Sequence, residues 1–170
     1  MNGAKTAPWV EVARQHVGKR EIPGQKTAPF ISRWLTNLGA WWSDDETPWC
    51  GAFVAGCLTD TGYPKPKNWF RALAYLDYGV ACPTATYGCI AVFDGGKKRP
   101  GAGHVGFAVG VDEQGRVMVL GGNQANAVTV APFERSRLRG LRWPPGAAYP
   151  SSTTLPLLAS NGKPASDNEA

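Results

Sequence analysis

The sequence has no apolar run approaching the roughly 18–20 residues that a membrane-spanning helix needs, which excludes a helical membrane protein and points away from stable membrane insertion. The stretch from Met1 to Trp9 holds one lysine and no apolar core, so no secretory signal is expected there. Histidine is scarce, with only His16 and His104, and cysteine is limited to Cys50, Cys57, Cys82 and Cys89. No cysteine pair has a close metal-ligand spacing and neither histidine lies near one, so no metal site is expected. Four reduced thiols are the default without an export signal. Cys82 and Cys89 are near enough in sequence to pair, but spacing alone does not show that they do. Charged residues make up 18% against 43% hydrophobic, which excludes a disordered chain or a coiled coil. There is no internal repeat.

The chain's 170 residues fit one domain, with a core sustainable without disulfides or a structural metal. The formal net charge is +5, which favours an anionic partner. Nucleic acid would need a basic stripe, and none is visible, so it is not an expected partner. Lys97-Lys98-Arg99 and the set Arg135, Arg137, Arg139 and Arg142 read as solvated faces. Past Pro150 the composition turns to Ser, Thr, Asn, Gly, Pro and Ala. A single domain over 1–150 with a flexible tail over 151–170 is the expectation. The oligomeric state is not written in the sequence, a monomer being the simplest reading.

Helices are expected first. Residues 7–18 carry Pro8 in the first turn, Val10, Ala13 and Val17 at helical spacing, and Gly18 as a stop. Residues 28–39 repeat the design, with Phe30, Trp34, Leu35 and Leu38 on one face and Gly39 at the end. A third helix starts at Cys50, and its many small residues predict a closely packed neighbour. A fourth is expected over 69–78. From about residue 86 the pattern changes to short apolar runs at 88–93, 104–111, 116–120, 127–130 and 138–143, which read as strands. Helices followed by an antiparallel sheet make an α+β fold.

Cys50 follows a Pro-Trp turn and opens a helix. A helix N-terminus carries partial positive charge and unpaired N–H groups, which favour thiolate over thiol and can hold an oxyanion. His104 opens a strand behind the loop Pro100-Gly101-Ala102-Gly103 and is the candidate base. A third group must orient the imidazole. A hairpin turn centred on Gln114-Gly115 sets Asn123 opposite Gly106, diagonally beside His104 and on its face of the sheet. Asn123 is therefore the candidate orienting residue, its amide oxygen accepting from the imidazole Nδ1–H. A one-residue change in register would remove it. Taken singly, Cys50 reads as an inert buried thiol, His104 as a strand cap and Asn123 as a turn residue. Jointly they point to a Cys–His enzyme.

Three strings occur in order: Thr47-Pro48-Trp49-Cys50-Gly51-Ala52-Phe53-Val54, Gly103-His104-Val105-Gly106-Phe107 and Gly121-Gly122-Asn123-Gln124. Together they resemble the CHAP and NlpC-type papain-like cysteine hydrolases of the bacterial cell wall, in a compact form found in phage and prophage proteins. The resemblance implies N-terminal helices packed on an antiparallel sheet, hydrolysis of an amide bond in peptidoglycan and no cofactor. It matches Cys50 to the nucleophile, His104 to the base and Asn123 to the third polar position, with Gln124 ranked below because a regular strand turns it away. Substrate contacts are expected from Trp49 and Trp42, from Gln124, and from Asp45 in an acidic loop meeting the amino groups of a stem peptide. Some relatives bind calcium through acidic residues upstream of the cysteine, but Asp44, Asp45 and Glu46 form no recognisable calcium loop. The implied role is a phage endolysin, held in the host cytoplasm until lysis or another route releases it to the wall. An effector or remodelling enzyme of the same chemistry, or a non-catalytic wall-binding module, stays open, as does amidase against endopeptidase.

Overall fold

The computed structural model describes residues 7–22, 27–42, 48–152 and 154–161. Among the described residues three α-helices come first: α1 Pro8–Arg14, α2 Pro29–Leu38 and α3 Cys50–Asp60. Six strands follow: β1 Val80–Ala81, β2 Ile90–Asp94, β3 Gly103–Val111, β4 Val117–Gln124, β5 Ala127–Phe133 and β6 Leu138–Trp143. They form one sheet in the order β1-β6-β2-β3-β4-β5, with every neighbouring pair antiparallel. The architecture is α+β, as the change of period predicts.

Both outer helices start on a proline in the first turn, where the missing N–H costs nothing. In α2, Ile31, Trp34, Leu35 and Leu38 recur at three- and four-residue spacing and are all buried. Gly39, at φ 81°, ends the helix, and the next N–H, of Ala40, returns to Leu35 O at 2.9 Å. Helix α1 ends at Arg14, and the chain turns on to Gly18, whose N–H reaches Val128 O at 2.9 Å. That contact lays the chain against the edge of β5, where Arg20 and Ala127 form an isolated bridge.

Helix α3 is buried at every position from Cys50 to Leu58, so it runs through the core and not over it. It packs on α1, α2, β3 and β4. Its small residues explain how: a Cβ on Gly56 would enter the Trp34 ring, and one on Gly51 would run into the Trp69 carbonyl. The close neighbours foreseen from composition are therefore the α2 face and the 69–70 backbone.

The expected fourth helix is shorter and of another kind. A 3-10 helix occupies Ala72–Asp77, and its buried residues Ala72 and Tyr75 are followed by buried Tyr78, a spacing of three that a 3-10 helix places on one face. The loose tail expected from Ser151 also needs correction. Val111 N–H donates to Pro156 O at 2.9 Å, Leu158 N–H donates to Val111 O at 2.8 Å, and Ala159 is buried. Residues 156–159 are thus docked on the far end of β3, while 162–170 lie outside the described residues.

Candidate active site

Cys50 is the first residue of α3 and its thiol is buried. The N–H groups of a helix's first turn have no partners within the helix, and the backbone N–H groups of Val105, Gly51 and Cys50 itself all favour the thiolate. The influence of Val105 places the sulfur near β3, one residue from His104. Burial pushes the thiol pKa up, and the three N–H groups pull against it without reversing the direction. The helix terminus therefore offsets part of the acidity this thiol loses on burial, and the net shift opposes the thiolate that helix position alone suggests. Beneath it, the fully buried Tyr75 hydroxyl donates to Gly51 O at 2.8 Å and pins the start of α3.

His104 is the second residue of β3, paired with Phe93 of β2. Its ring stacks on Phe133 with centroids 4.8 Å apart and planes at 3°. Its Nε2 lies 2.9 Å from Gln124 Oε1. The Gln124 amide nitrogen donates to Val119 O at 3.1 Å, Thr129 O at 3.0 Å and Thr129 Oγ1 at 3.0 Å. Turning the amide over would set its oxygen against two carbonyls. Oε1 must therefore face the histidine, so Nε2 carries the proton and Nδ1 the lone pair. Burial lowers the His104 pKa to about 4; the Gln124 bond opposes the shift and the Arg137 charge adds to it. With the thiol raised and the imidazole lowered, the resting pair is neutral.

The orienting bond thus falls to Gln124 and not to Asn123. The β3–β4 turn spans five residues between the paired Val111 and Val117, because the Asp112 carboxylate accepts from Gln114 N–H at 3.0 Å and Arg116 N–H at 2.8 Å. A register shift between Ala108 and Gly110 follows, and Phe107 comes to pair with Leu120. At the end of β4, Asn123 has φ 57°, which breaks the alternation of faces and turns the next side chain toward His104. The β4–β5 pairing is interrupted at the same place, between Gly121 and Gln124. Gly121 makes the bond possible, since a Cβ there would run into Gln124 Oε1.

Cys50, His104, Asn123 and Gln124 all line one groove of about 1240 Å³. Gln124 sits there with its amide committed to holding the histidine, in place of the substrate contact expected of it. Trp49 is not on the groove. It is 1% exposed, its indole N–H donates to Glu21, and its ring lies against Phe30 and over Gly122. Trp42 stacks on Trp69, centroids 5.7 Å apart, and does not line the groove either. The aromatic side chains that do are Phe70, Tyr78 and Phe133. Asp45 and its acidic neighbours lie outside the described residues. Among the described residues no three potential metal ligands come together.

Sequence reasoning missed Tyr75, Phe133 and Arg137. Tyr75 sits in a segment that reads as an α-helix, and Phe133 and Arg137 lie beyond the run that reads as a strand. The Gly121-Gly122 pair was the visible signal of a close approach here.

No curated protein and no solved structure matches the chain significantly. The CHAP domain family model matches residues 42–123, which include Cys50, His104 and Asn123 and stop one residue short of Gln124. That span runs from the segment before α3 to the penultimate residue of β4 and holds most of the residues that line the groove, Gln124, Ala125, Phe133 and Arg137 lying beyond it. Residues 42–123 of this chain are a CHAP domain, one of the papain-like cysteine peptidoglycan hydrolase domains.

Proposed function

We propose that the chain hydrolyses an amide bond of peptidoglycan, with Cys50 as nucleophile, His104 as base and Gln124 as the residue that orients the base. The observation that carries this reading is the tautomer imposed on His104, which leaves the Nδ1 lone pair available to accept a proton in the groove that Cys50 also lines. The neutral thiol gives its proton to Nδ1 as the sulfur attacks the amide carbonyl. The Cys50 N–H is the donor for the oxyanion. The imidazolium keeps its Nε2–H on Gln124 and returns the other proton to the leaving amine. Water then cleaves the thioester, with His104 again the base. The finer reading is a phage endolysin that waits in the host cytoplasm. The resemblance of the catalytic strings to compact phage forms and the net charge of +5, suited to an anionic envelope, support it.

Digestion of purified peptidoglycan by wild type and Cys50→Ala, with products identified by mass spectrometry, tests the chemistry. Wild type alone is expected to release products. Free whole stem peptides identify an N-acetylmuramoyl-L-alanine amidase, and fragments cut within the stem identify an endopeptidase. Equal products from both proteins would remove Cys50 from the mechanism, and binding without products would favour a wall-binding module.

A further inference from the structure

The groove has a charge pattern that the amide chemistry does not use. Among its described lining residues are four cations, Lys67, Arg71, Arg99 and Arg137, and one carboxylate, Asp77. Arg137 is committed: its guanidinium donates to Asp94 O at 2.6 and 3.1 Å and lies over the Phe133 ring. Lys67, Arg71 and Arg99 are exposed, and among the described residues none has a carboxylate within 4.0 Å.

The backbone places one of these cations near each member of the candidate catalytic pair. Arg71 directly follows Phe70, whose backbone abuts Gly51, the neighbour of Cys50. Arg99 O accepts from Ala102 N–H at 3.1 Å, closing the turn that leads through Gly103 into His104. Arg71 lies over the Phe70 ring at 5.7 Å, a contact that leaves its N–H groups free of any carboxylate among the described residues. A guanidinium without a carboxylate partner in a concave site raises the local concentration of anions and offers a forked donor to a carboxylate.

We propose that the groove selects stem peptides bearing free carboxylates over amidated ones, with Arg71 and Arg99 as the receiving groups, a specificity that rests on the peptidoglycan reading above. Stem peptides present such groups: the α-carboxylate of the glutamate residue, that of a diamino-diacid where one is present, and the C-terminal carboxylate. Walls differ in how many are converted to carboxamides. An amide keeps the shape and removes the charge, so discrimination would come from electrostatics and not from fit.

The test uses one polymer in two forms. Peptidoglycan stripped of phosphate-bearing polymers is divided, and one half is amidated with carbodiimide and ammonia. Wild type is expected to release products from the free-acid form about ten-fold faster, the scale of one charge-assisted hydrogen bond. In an Arg71→Gln/Arg99→Gln double variant, whose fold is checked by its melting curve, the two rates should converge. Equal wild-type rates on both forms would overturn the proposal while leaving the hydrolase reading intact. A double variant that still discriminates would overturn the assignment to these arginines. Absence of products from either form would defeat the hydrolase reading itself, and the specificity with it.

Discussion

His104 shows how one side chain's surroundings decide its chemistry. An imidazole in water is half charged near pH 6.5, but burial and the Arg137 charge lower this one to about 4. Neutral histidine is the form that can accept a proton, so kcat/KM on peptidoglycan should hold through neutral pH and fall only as pH drops toward 4. An acid limb near 6.5 would mean that the ring is charged when it should be a base. The same shift makes a stability prediction. Between about pH 6.5 and pH 4 the unfolded chain binds a proton at this position and the folded chain does not, so stability is full above 6.5 and declines as pH falls through that window. The loss is on the order of 3 kcal/mol, measurable by denaturant unfolding across pH, and His104→Gln should flatten that part of the curve. The two catalytic candidates were legible in the sequence because a cysteine opening a helix and a histidine opening a strand are local patterns. The depressed histidine was not, since its causes, burial in the packed fold and the Arg137 charge, arise only once distant parts of the chain come together.

At the scale of elements, the sheet was readable in its strands and unreadable in its register. Each apolar run that reads as a strand lies within or largely over one. The pairing of β3 with β4 instead depends on a five-residue turn organised by the Asp112 carboxylate and on the irregularity at Val109, neither of which periodicity records. Asn123, in left-handed conformation, then exchanges its place with Gln124. For the same reason a residue that touches no substrate should matter to the reaction. Gly121→Ala puts a methyl where Gln124 Oε1 lies, and the amide must leave His104. Misplacing the base in this way is expected to lower kcat by about a hundred-fold with little change in KM, and the Nε2–H signal of His104 in the proton NMR spectrum should shift or broaden. Full kcat in this variant would show that the histidine holds its orientation without Gln124. Tryptophans misled in a related way. Trp49 adjoins the nucleophile in sequence, yet the first turn of α3 points its ring inward to Glu21 and Gly122.

Across the whole molecule, the two ends of β3 have separate duties. His104 stands at one end; Val111, seven residues on, stands at the other, about 24 Å away at ~3.4 Å per residue. The distal end carries the C-terminal segment: Pro156 and Leu158 bracket Val111 by two backbone hydrogen bonds, and the Leu158 side chain covers Gly110. Arg116, which helps hold the hairpin turn through Asp112, also reaches Ser160 at 3.3 Å. Composition alone makes this segment a tail, because proline, serine and threonine carry no periodicity; its anchorage comes from a strand end more than forty residues earlier in the chain. Deleting 151–170 should therefore cost stability and spare catalysis. Two backbone hydrogen bonds and part of a leucine amount to about 2 kcal/mol, or about 4–8 °C in Tm for a chain of this size. The rate of peptidoglycan digestion, measured well below the lowered Tm, should stay within about two-fold of the full chain, since none of the segment's described residues lines the groove that holds Cys50 and His104. A truncated protein that melts like the full chain but digests slowly would contradict both halves of the argument. It would mean that the segment contributes little to the fold and serves the site, as a distant clamp on β3 that sets where His104 stands.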